Sequence, residues 1–68
     1  MRRFKVIKID GARDKQLIFR AHTWTEQGTT FKFWDEQNSY VEEFEKNEIR
    51  FISDFETDEQ IYPHVRKN

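Results

Sequence analysis

The chain has no cysteine, one proline and two glycines in 68 residues. Without cysteine there is no disulfide to staple a small secreted scaffold, no thiolate nucleophile and no thiolate zinc site. Two glycines are too few for a phosphate-cradling loop. No run approaches the ~18 consecutive apolar residues of a membrane-spanning helix. Lys5 and Lys8 interrupt what a secretion leader would need as an apolar stretch of at least ~7 residues. The expected setting is the cytoplasm, with no membrane partner.

Side chains for chemistry are equally sparse. His22 and His64 stand far apart, with no HxxxH or HExxH spacing to hold a metal. Adjacent acids such as Glu42-Glu43 and Asp58-Glu59 point to opposite sides of a strand, which makes them poor acid–base pairs. Ser39 and Ser53 lack the context of a nucleophile elbow. No catalytic residue, cofactor or metal is expected, and the chain reads as a non-enzyme.

What is present is aromatic and charged. Seven Phe, two Trp and two Tyr make up 16 % of the chain, and charged residues 37 %. A single domain over residues 1–68 buries only roughly 60 % of the surface its unfolded chain exposes, so large rings must supply the burial. The formal net charge of −1 hides two opposite halves. Residues 1–20 hold seven Arg or Lys against two Asp; residues 21–60 hold three against eleven acids. The halves can fold against each other and neutralise. The acidic middle can also steer a basic partner, or imitate a nucleic-acid backbone to a protein that binds one.

The apolar pattern has period 2, interrupted by turn signals. It predicts strands over Phe4–Ile9, Gln16–Thr25, Thr29–Trp34, Ser39–Phe44 and Glu48–Ile52, with turns at Asp10-Gly11, at Gly28 and over Asp35–Asn38. Ser39 with Glu42 also matches a helix capping box, but the run before Lys46-Asn47 is short for an independent helix and favours a strand. Ser53 with Glu56 is a second capping box, which would open a short C-terminal helix before Pro63. The last few residues should fray. The expected fold is all-β: a five-stranded antiparallel meander that curls into a small barrel, or dimerises, to cover its apolar face and edges.

Alternation along the strands assigns faces. Leu17, Phe19, Ala21, Phe31, Phe33, Ile49 and Phe51, with Val6 or Ile7, form the expected core. The other side interleaves Arg20, Lys32 and Arg50 with Trp24, Trp34 and Ile18. Trp and Arg are enriched at protein interface hot spots, and aromatics beside cations also suit single-stranded nucleic acid. The candidate partner-binding residues are Arg20, Trp24, Lys32 and Trp34, joined by the acidic Asp35, Glu36, Glu42 and Glu43. Near-neutral net charge favours a protein partner over nucleic acid. The same face could instead be covered by the chain's own first strand or C-terminal segment.

The arrangement FKVIKIDG, QLIFRAHTW and GTTFKFWDEQNSYVEEFEKNEIRFI resembles the short β-meander accessory proteins of bacteriophages and prophages. That resemblance covers residues 4–56 and rests on pattern and size. It implies non-enzymatic binding that inhibits or redirects a host protein, and carries no site residue with it. A single-stranded nucleic-acid-binding barrel and a self-associating structural domain are the alternatives.

Overall fold

The computed structural model describes residues 1–64; the fraying expected of the last few residues lies outside the described residues. Seven strands follow one another: β1 (Arg2–Lys8), β2 (Lys15–Ala21), β3 (Thr23–Gln27), β4 (Thr30–Trp34), β5 (Tyr40–Glu45), β6 (Ile49–Asp54) and β7 (Gln60–Tyr62). A 3₁₀ turn over Lys46–Glu48 joins β5 to β6. The strands form two antiparallel sheets, one ordered β2-β1-β6-β7 and the other β3-β4-β5.

The fold is all-β, as expected, but it has seven strands in two sheets, with no closed barrel, where a five-stranded meander curled into a small barrel was expected. Each of the five expected strands is present; the second is broken in two. Ala21 still pairs with Arg2 of β1, whereas the His22 N–H donates to the Trp34 carbonyl at 2.8 Å. The chain therefore changes partners within one residue and turns the corner from one sheet to the other.

The C-terminal helix does not form. Asp54 Oδ1 accepts the N–H groups of Glu56 at 3.0 Å and Thr57 at 3.1 Å, an Asx turn that competes with the helical reading of Ser53 and Glu56. The chain then returns as β7, pairing Ser53 with Gln60 and Ile52 with Tyr62. The other turns match the sequence: Gly11 (φ +57°) and Gly28 (φ +59°) occupy the left-handed region that glycine enters without steric cost.

The core lies between the sheets. Phe4, Val6 and Ile52 from the four-stranded sheet meet Phe31, Phe33 and Phe44 from the other, with Ala21 at the corner and Ile49 after the 3₁₀ turn. Phe33 sits at the centre, with ring centroids 5.1 Å from Phe4, 4.8 Å from Phe19 and 6.1 Å from Phe44. Each such side chain contributes roughly 1.5–3 kcal/mol by burial, and each good ring pair about 0.5–1.5 kcal/mol more. Of the two first-strand candidates Val6 is the buried one; Leu17 and Phe19 pack half-buried at the core's margin.

Phe51 is a correction. Lys8 pairs with Ile49 but Ile7 pairs with Phe51, so Arg50 is an extra residue on β6. This bulge reverses the alternation: Ile49 and Ile52 point inward, and Phe51 is left half-buried on the outer side.

Candidate functional site

The break at His22 reshapes the expected binding face. Cross-strand partners share a face of a sheet. Trp24 lies opposite Phe33, and Glu26 opposite Phe31, so Trp24 belongs to the inner side of the three-stranded sheet. It packs against the core, its ring 5.8 Å from that of Phe31. Trp34 lies opposite Thr23, and Lys32 opposite Thr25, on the outer side. Uninterrupted alternation would put Trp24 on the side of Arg20; the corner at His22 moves it by one step to the inside.

The eight candidate residues accordingly divide. Lys32, Trp34 and Glu43 share the outer face of the three-stranded sheet, where Lys32 Nζ stands 3.7 Å from Glu43 Oε1. Glu42, half-buried, is opposite Phe33 on the other face of β5. Asp35 and Glu36 lie in the β4–β5 turn. The Asp35 carboxylate is engaged there, since Oδ1 accepts the N–H groups of Gln37 at 2.9 Å and Ser39 at 2.8 Å. Arg20 is on the four-stranded sheet, paired with Arg3 of β1. Arg50, in the bulge, reaches Asp14 at 2.7 Å and joins neither group.

Sequence reasoning missed Tyr40. Trp34 pairs with Tyr40 although Phe33 pairs with Glu42, so Val41 is a second bulged residue and brings the two rings side by side. Their centroids are 6.3 Å apart at 80°, an edge-on contact. The Trp34 indole N–H donates to Thr25 Oγ1 at 3.2 Å, which fixes the ring, while Tyr40 remains 55 % exposed. Partial desolvation, then the carboxylates of Glu43 and Glu42, push the Tyr40 phenol above its ordinary pKa. A one-residue bulge leaves no mark in composition, so only the fold could place Tyr40 here.

At one end of the core, Glu26 is held by the Lys46 ammonium and by His64 Nε2 at 3.1 Å. Those two hydrogen bonds, Lys46 first, lower the Glu26 pKa. Glu56 is lowered in the same way by the Arg3 guanidinium, whose Nε donates to Oε1 at 2.6 Å.

Among the described residues the surface has no pocket, and no three His, Asp or Glu side chains lie close enough to hold a metal ion. What the molecule presents is two outer sheet faces. Comparison with family models, curated proteins and solved structures finds no match.

Proposed function

We propose that the protein is a non-enzymatic binding module that docks a basic segment of a larger protein on the outer face of the three-stranded sheet. The observation that carries this reading is the Trp34–Tyr40 pair: one ring fixed by Thr25, the other more than half exposed, beside the carboxylates of β5. Rigid amphipathic rings are favoured interface anchors because they offer large contact area with few rotatable bonds. Glu43 lies on the same face and Glu36 in the adjoining β4–β5 turn, and β5 is an edge strand with a free ladder side. Such a surface suits an Arg/Lys-rich segment, steered by charge and held by the rings. Blocking or redirecting a host protein, the role that the resemblance to phage accessory proteins implies, would use the same surface.

The test is retention from a cytosolic extract on immobilised wild-type protein and on Tyr40→Ala, both shown to be folded. The expected result is a discrete protein held by the wild type and lost with Tyr40→Ala. Retention of nothing above background, or equal retention by both, refutes the proposal.

A further inference from the structure

The second outer face differs in chemistry. On the four-stranded sheet, β1 contributes Arg3, Lys5 and Ile7 outward, β2 contributes Gln16, Ile18 and Arg20, and β6 contributes Phe51 and Ser53. Cations alternate here with apolar and aromatic groups. The Lys5 ammonium stands 5.8 Å from the Phe51 ring centroid, and the Arg3 guanidinium 4.7 Å from that of Phe55, which follows β6 and is 40 % exposed. Ile18 is 45 % exposed.

Pairing of charges sharpens the contrast. Among the described residues, Lys5, Lys8, Arg13, Lys15 and Arg20 take part in no ion pair, and all five belong to β1, β2 or the turn between them. The nearby acids Glu56 and Asp14 are neutralised by Arg3 at 2.6 Å and Arg50 at 2.7 Å. The floor of the face holds Ser53, wholly buried, whose hydroxyl has no hydrogen-bond partner.

From this we infer that the outer face of the four-stranded sheet, with the β1–β2 hairpin, binds single-stranded nucleic acid. Lys5 and Arg20, with Arg13 in the hairpin turn beyond them, meet phosphates, and exposed bases stack on Phe55 and Phe51. A duplex hides its bases and gains only the cation contacts. An anionic lipid surface offers the cations a partner but no base to stack on Phe55 and Phe51. The face is separate from the Trp34–Tyr40 surface, so neither proposal depends on the other.

The experiment is fluorescence anisotropy of a labelled oligothymidylate about 20 nucleotides long, titrated with the whole chain. Neither indole lies on this face, so a label on the oligonucleotide is the appropriate reporter. With about three phosphates engaged, a fourfold rise in salt should weaken binding about 18-fold. Lys5→Glu with Arg20→Glu should weaken it at least about tenfold and flatten the salt dependence. Phe55→Ala, a change at an exposed ring that leaves the core intact, should weaken it about fivefold or more. Tyr40→Ala should leave it unchanged. No anisotropy change at low salt overturns the inference. So does binding untouched by the Lys5/Arg20 variant, or equal binding of a duplex or of phosphatidylserine vesicles.

Discussion

On the four-stranded sheet the outward side chains are Arg3, Lys5 and Arg20 with aliphatic and phenyl neighbours; on the three-stranded sheet they are Trp34 and Tyr40 with Glu43 and a paired lysine. Inward, both contribute phenylalanines to one core. The sheets are joined at His22 by a single residue that changes hydrogen-bonding partner. One core thus carries two outer faces of different chemistry, one with unpaired cations and one with an aromatic pair beside a lysine–glutamate ion pair.

The strongest way to break this comparison is to remove what the sheets share. Phe33→Ala should cost about 3–5 kcal/mol, most of the stability of so small a domain, and urea denaturation should show both sheets lost together. If one sheet survived, the common core would be a misreading. Next comes the tryptophan pair. Trp24→Ala removes a ring packed against Phe31 and should cost about 3 kcal/mol, whereas Trp34→Ala, on an outer face, should cost about 1 kcal/mol. Equal costs would mean that the two indoles share a side.

Ser53→Ala tests the other sheet. Its hydroxyl is buried without a partner, so removing it should raise stability by about 1 kcal/mol in the same denaturation experiment. A loss would show that the hydroxyl is satisfied.

The smallest effect concerns Glu26. Its folded-state pKa is lowered, chiefly by the hydrogen bond from Lys46 and then by that from His64. A lowered carboxyl pKa contributes stability that is present above the ordinary glutamate value of about 4.3 and is lost as pH falls through the lowered value. Glu26→Gln should therefore lower stability by about a few tenths of a kcal/mol at neutral pH, and by progressively less as pH falls through the lowered value. Thermal unfolding of both forms across the acid range measures the difference.

Much of the fold was legible because strands of period 2 separated by Asp-Gly, Gly and Asp–Asn turns leave a direct trace in the residues. The inward Ala21, Phe31, Phe33 and Ile49 followed from that trace. What was hidden depends on single-residue changes of phase. His22 is neither glycine nor proline, and the corner there arises because Ala21 and His22 are drawn to different neighbouring strands. Arg50 and Val41 are ordinary strand residues that the ladders leave unpaired. Each such slip turns the following side chains over, so Trp24 went inside, Phe51 outside, and Tyr40 came to rest beside Trp34. The interleaving of cations and aromatics expected of Arg20, Lys32 and Arg50 with Trp24 and Trp34 is found on the four-stranded sheet instead, among Arg3, Lys5, Arg20, Phe51 and Phe55. The strand β7 escaped because its three residues follow an acidic run whose turn depends on Asp54.

The most direct test is a nuclear Overhauser spectrum of the intact chain, read at the two indole rings. A phase change at His22 predicts cross-peaks from Trp24 to the Phe31 ring and from Trp34 to Tyr40. Cross-peaks from Trp24 to the Lys32 and Trp34 side chains, with none to Phe31, would put both indoles on one side and dissolve the distinction between the faces.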